Sequence, residues 1–175
     1  MDHEILFRGK AANRKSGRSY RTKYKNGDWV FGMLTDPMNY AGFAEMTNTN
    51  GVSGIEVDKN TVGQFSGVLD TELKPIYQGD IVRFLRYVCT VVFEEGCFGL
   101  ALNINDAFDW DYIDEEMKEY AGTNQITACF NDHFISLWEI LWNFNCDQNI
   151  CNVVEVIGNI HDNPELLKGG VEECG

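Results

Sequence analysis

Short runs in which apolar and polar residues alternate dominate the chain, and glycine, proline, asparagine or aspartate interrupts nearly all of them. Alternation with period two between turn residues predicts strands. The densest example is Thr61 to Phe84, TVGQFSGVLDTELKPIYQGDIVRF, where Gly63, Gly67, Pro75 and Gly79 punctuate aromatic and β-branched runs. Ile76-Tyr77-Gln78-Gly79-Asp80-Ile81-Val82 predicts a turn with Gly79 at φ > 0, a region glycine enters without steric cost. Asp80 is then placed to bond the local backbone, and Ile81 or Val82 to be buried in the next strand.

Upstream, Glu4 to Lys10 predicts a first strand. Asn26-Gly27, between Tyr24-Lys25 and Trp29-Val30-Phe31, predicts a hairpin with a type I′ turn. Asp36-Pro37 is expected to close that strand, because proline cannot donate to a ladder. Residues 38–54 are poorly patterned and predict a long loop or a weak edge strand, whereas Ile55 to Asp58 alternates. Downstream, Tyr87 to Phe93 and Cys97 to Leu102 predict a second hairpin through Glu95-Gly96.

The period then changes. Trp110, Ile113, Met117 and Tyr120 recur at helical spacing, so Asp106 to Tyr120 predicts an acidic helix capped by Asp106 and ended by Gly122. Ile126 to Leu137 predicts a third hairpin. Ser136-Leu137-Trp138-Glu139 is a capping box that opens a short helix to Phe144, although the apolar run 133–144 also fits a strand. Asn145 to Asn152 is polar loop, and Val153 to Leu167 closes the fold. The class expected is mainly β (α+β in part), with short antiparallel strands, one acidic helix and one or two short helices.

Several of these stretches together resemble the YopX-like proteins of phages and prophages. GQFSG at Gly63–Gly67, Asp70 and IYQGDIV at Ile76–Val82 are similar to the family's central signature. FRGK at Phe7–Lys10, WVFG at Trp29–Gly32 and GCFGL at Gly96–Leu100 resemble further family segments. EVIGNIHDNPELL at Glu155–Leu167 matches the closing one, with His161 where tyrosine is usual. The resemblance implies a small SH3-like barrel and no particular activity. No internal repeat or low-complexity linker argues for a second domain, so one such domain is expected over residues 1–168, with a basic arm without apolar periodicity at about 11–23 and a flexible glycine-rich tail at 169–175.

Charge changes this picture most. The chain carries a net charge of −13, yet the first 25 residues hold eight Lys/Arg against two acids, while the remainder is strongly acidic. An acidic surface repels phosphates on average and disfavours a general nucleic-acid coat. The basic arm (Arg14, Lys15, Arg18, Arg21, Lys23), with Tyr20 and Tyr24 interleaved, is the counter-signal. Its competing reading is pairing with the protein's own acids, above all the acid-rich helix, in its own subunit or in a neighbour. No apolar run is long enough for a secretory leader or a membrane span, so a bacterial cytoplasm and reduced thiols are expected.

Candidate chemistry is sparse. Six cysteines accompany His3, His133 and His161 without a catalytic context, and buried or incidental thiols are the favoured reading. Cys146 and Cys151 with His161 make a loose zinc pattern that lacks the tight pairs of structural sites. The acids between Asp106 and Glu119 fail the EF-hand pattern at Ala107 and Phe108. No catalytic residue, cofactor or metal is therefore expected. Trp29, Phe31, Phe65 and Tyr77 would line a binding groove on such a barrel, against the competing reading that alternation turns them into the core. The function expected is a non-catalytic accessory module that binds a phage or host protein, self-association being compatible with it. A nucleic-acid-associated protein using arm and barrel is the alternative.

Overall fold

Alternation builds the first core. In the computed structural model, which describes residues 6–12, 24–39, 42–103, 105–121 and 132–168, strand β3 (Phe43–Asn48) buries every second residue: Ala44, Met46 and Asn48. β4 (Ile55–Asp58) does the same with Ile55 and Val57. With β1 (Phe7–Lys10), β2 (Trp29–Asn39) and β5 (Gly63–Leu69) they form the antiparallel order β4-β3-β2-β1-β5. Val30, Ala44, Met46, Ile55 and Val57 make the core of a first compact unit, Met1–Phe65, with Phe7 and Leu34 packed on it. A Cβ on Gly32 would lie 1.9 Å from the Thr47 carbonyl oxygen, so only glycine permits this approach of β2 to β3.

The sheet curls until Ala11, just past β1, bridges Val57 of β4, and the Ala12 N–H donates to Glu56 O at 2.9 Å. Ala11 is buried there and belongs to the sheet, not to the arm. The curl ends in that one bridge and not in a ladder. The class is mainly β, in two antiparallel sheets, and no sheet closes into a barrel among the described residues.

Three expectations for this unit are corrected. Asn26-Gly27 is a turn but not type I′, since Gly27 has φ +90° while Asn26 is not left-handed. Asp28 N donates to Lys25 O at 3.1 Å, and the Asp28 carboxylate accepts from Lys25 N at 2.7 Å, so the aspartate fastens the turn itself. The partner of β2 is β1 (Lys10 opposite Trp29), not Tyr24-Lys25. β2 also continues through Asp36-Pro37 to Asn39. Among the described residues, β2 beyond Gly32 pairs only with β3, and its register shifts around Asp36, so the proline sits on an open edge where it removes no ladder bond. Residues 43–48, expected as loop or edge, are a strand flanked by β2 and β4. Its inward side chains include a small Ala44 and a polar Asn48, whose carbonyl accepts from Asn50 N and Val52 N, and this weakens the apolar signal.

β5 carries the chain into the second unit, Ser66–Gly175, and neighbours β6 (Pro75–Tyr77). β7 (Asp80–Phe84), β8 (Tyr87–Glu94), β9 (Cys97–Ala101), β10 (Phe134–Ser136) and β11 (Val154–Asn159) form an antiparallel sheet of order β10-β9-β8-β7-β11. Gly79 adopts φ +83°, the Tyr77 N–H donates to the Asp80 carboxylate at 2.7 Å, and Ile81 and Val82 are fully buried, as the glycine-led turn predicts. The second hairpin forms as expected. Glu95 and Gly96 are both left-handed at φ 52° and 83°, so the type I′ geometry occurs here.

Two helices cover this sheet's core. α1 (Trp110–Ala121) contributes Ile113 and Met117, and α2 (Leu137–Asn143) contributes Leu137 and Ile140, to a cluster with Val82, Phe84, Val91 and Leu100. The run 133–144 is thus strand, then helix, and the capping box at Ser136 forms as predicted. α1 begins later than expected, with Asp109 and not Asp106 at its head. Asp109 Oδ1 accepts from Tyr112 N at 3.2 Å, its own N–H donates to Tyr87 Oη at 2.9 Å, and Oδ2 pairs with Arg86 at 2.8 Å. The Tyr112 N–H and the Arg86 guanidinium, which lies 4.0 Å over the Tyr112 ring, hold this carboxyl below the usual carboxylate range. The Asp106 carbonyl instead accepts from His133 Nδ1 at 2.5 Å. The expected Gly122 cap, the strand 126–130, the arm from 13 to 23 with its predicted contact to α1, and the tail from 169 lie outside the described residues.

Candidate functional site

Register decides which aromatics share a surface. Phe31 stands opposite Arg8 and Trp29 opposite Lys10, while Arg8 also faces Gly63 of β5, two residues before Phe65. Directly paired residues point to one side of a sheet, so Trp29, Phe31 and Phe65 share the face turned away from the first core. Met33 follows on the same side by alternation. Phe31 and Met33 are exposed, and Trp29 and Phe65 are half-buried. The Arg8 guanidinium lies 4.8 Å and the Lys10 ammonium 5.3 Å from the Trp29 ring centre, close enough for cation–π attraction. Three of the four predicted surface aromatics therefore come together. Tyr77 does not join them: it is buried at the end of β6 in the second unit. The five arm cations fall in 13–23, outside the described residues.

A second surface was not anticipated. The Ser136 hydroxyl accepts from Glu139 N at 3.1 Å, and the Glu139 carboxylate accepts from Ser136 N at 3.0 Å and from its hydroxyl at 2.7 Å. This box fixes where α2 starts and hence which side faces inward. Leu137, Ile140 and Phe144 enter the core. Trp138 and Trp142, four residues apart, then point outward, stacked with centroids 6.3 Å apart and planes 29° from parallel. Each is 69% exposed, more than any other large apolar residue among those described. The sequence held the signal: a recognisable box sets the helix phase, and the phase leaves both tryptophans opposite the inward set.

The loop after α2 brings two thiols together. The half-buried Cys146 thiol donates to Asn152 Oδ1 at 3.0 Å, and the neighbouring Cys151 thiol, helped by the Asn152 N–H, pulls its pKa down to about 7. Cys151 is pushed far up by Cys146 and by burial. Cys89 is raised by burial, and Cys97 is raised by burial and by the charges of Glu139 and Glu95. Among the described residues no three or more His, Cys, Asp or Glu gather as a metal would require, and His133 is engaged with the Asp106 carbonyl. A groove of about 220 Å³ lined by Thr71, Arg83, Leu85, Tyr120 and Val154 holds the ion pair Arg83–Glu155 at 2.9 Å. Among the described residues no helix is long and apolar enough to cross a membrane.

The family model described as YopX protein matches residues 23–130, more than half of the chain. The match includes the central GQFSG and IYQGDIV stretches, and α2 and the closing EVIGNIHDNPELL lie beyond it. No curated protein matches the sequence.

Proposed function

We propose that this chain, which belongs to the YopX family, is a non-catalytic binding module of phage or prophage origin that acts through protein–protein contacts in a bacterial cytoplasm. The observation that carries this reading is the stacked, exposed pair Trp138 and Trp142 on a helix whose start is fixed by a capping box. Water is a poor solvent for two indoles, and tryptophan is over-represented among residues that dominate protein interfaces. The net charge of −13 supports a protein partner over a polyphosphate. The curl of the first sheet toward its Ala11–Val57 bridge is in keeping with an SH3-like barrel, a scaffold on which binding faces are common.

A second reading has one observation in its favour. Lys10 lies over the half-buried Trp29 on a face that also presents Phe31, with the buried Arg8 behind the ring, and a cation beside exposed aromatics suits backbone phosphates and stacked bases. Affinity capture with the tagged chain from phage-infected cells, alongside elution from heparin, separates the two. Protein binding predicts a discrete captured protein and no retention on heparin. Nucleic-acid binding predicts retention that salt reverses.

A further inference from the structure

The tryptophan pair on α2 stands in surroundings of one sign. From Tyr87 to Leu167 the sequence holds fifteen Asp or Glu and a single Lys or Arg, Lys118. That lysine is already paired with Asp114 at 2.6 Å on α1. On α2 itself Glu139 follows Trp138 by one residue and precedes Trp142 by three, and the helix carries no Lys or Arg. Its cap, Ser136, pairs with Gly99, and α2 packs on β9, the strand entered from the exposed tip Glu94-Glu95. Cys97 lies where these acids meet: besides burial, the charges of Glu139 and Glu95 raise its thiol pKa. Asp147, exposed, follows the other end of the helix. Carboxylates therefore stand at both ends of the tryptophan face.

Elsewhere the chain sets its own cations against half-buried rings. Arg8 and Lys10 approach Trp29, and the Arg86 guanidinium lies 4.0 Å from the centre of the Tyr112 ring. Among the described residues no cation lies over Trp138 or Trp142, although indole offers a cation the most favourable aromatic face. A neutral partner would take Glu139 out of water without compensation, and an acidic one would be repelled.

We propose that α2 receives a basic segment of a partner protein, with an arginine laid on the outer face of the Trp138–Trp142 stack and the flanking acids holding further cations. The inference rests on the reading of α2 as a protein-binding face and adds what that face selects. The two indoles are too close to take a cation between them: contact on each side needs about 3.5 Å, and the ring centres are 6.3 Å apart. The guanidinium therefore lies on an outward face, which exposure leaves open. Arginine suits this place better than lysine, because its cation is planar, stacks on aromatic rings and is more weakly hydrated.

A library of random short peptides is the probe, selected in parallel against the full chain and against Trp138→Ala/Trp142→Ala. The full chain should enrich peptides that carry arginine, and the double variant, which keeps every carboxylate, should not. An enriched peptide should bind the double variant at least about tenfold more weakly. Changing its arginine to lysine, or Glu139→Gln in the protein (which keeps an acceptor for the cap), should also weaken binding, as should added salt. Tryptophan-dependent enrichment of neutral or acidic peptides would overturn the inference while leaving α2 a protein-binding face. Arginine peptides held equally by both chains would overturn it as attraction to the acidic surface alone. Enrichment of no tryptophan-dependent peptide would overturn it too, and capture of a folded partner then decides the protein-binding reading separately. A peptide of residues 11–23 held on the same face as tightly as the enriched peptides would make a second copy the occupant and overturn the foreign partner.

Discussion

The Asp70 carboxylate accepts a 3.0 Å hydrogen bond from the backbone N–H of Val156, joining positions 86 residues apart. Its other oxygen accepts from Glu72 N and Lys74 N, both at 2.8 Å, and the side chain is fully buried. One aspartate therefore shapes the turn before β6 and anchors the last strand, which is why the central signature and the closing segment depend on each other. Asp70→Ala would leave three N–H groups without this acceptor, each at ~1–3 kcal/mol, so a loss of more than about 3 kcal/mol is expected in urea denaturation. A loss below ~1 kcal/mol would show that water replaces the carboxylate.

Gly79 and Gly32 are required for different reasons, and substitution separates them. Gly79→Val forces a β-branched residue to φ +83° and should destabilise by more than ~1 kcal/mol. Gly32→Ala drives a methyl group onto the Thr47 carbonyl, a backbone atom that moves only if β2 and β3 part, so roughly 1–3 kcal/mol is expected. Thermal melts of both variants check this.

Much of this was legible in advance where one local rule acts alone. The Gly79 turn, the Glu95-Gly96 hairpin and the Ser136 box each need only a few adjacent residues, and each formed as read. Where tertiary contacts compete, the reading failed. Asp109 heads α1 because Arg86 and Tyr87 meet it there, and Pro37 is tolerated because β2 has an open edge. The site was half legible. Strand alternation gathers Trp29, Phe31 and Phe65, but Tyr77 is buried at the end of β6, where its N–H is held by the Asp80 carboxylate. The Trp138–Trp142 pair follows from the capping box, but the apolar run 133–144 fits a strand as well as a helix, and only the helical phase puts both indoles on one outer face.

Ser136→Ala removes the acceptor for Glu139 N and should cost ~0.5–2 kcal/mol. Because the box sets the phase of α2, the near-ultraviolet circular dichroism of the stacked tryptophans should weaken together with stability. An unchanged tryptophan signal in a destabilised variant would separate the cap from the pair.

Alkylation should distinguish the thiols by pH. The rate at Cys146 should rise with pH to a midpoint near 7, since the neighbouring Cys151 thiol stabilises its thiolate. Cys97, whose pKa is raised, should still be accelerating well above that. In Cys151→Ala the Cys146 midpoint should move up toward the ordinary thiol range, as read by iodoacetamide labelling and mass spectrometry.

Binding of a protein partner through α2 is tested most directly by quantitative capture from phage-infected cells with the tagged chain and with Trp138→Ala/Trp142→Ala. Both side chains are exposed, so the double variant should keep its melting temperature. A hot-spot tryptophan contributes ~2 kcal/mol or more, so with even one of the two in that role a partner held by the unsubstituted chain should bind the double variant at least about thirtyfold more weakly. The same partner captured with equal affinity by both chains would contradict the account. So would the absence of any protein partner together with salt-sensitive retention on heparin.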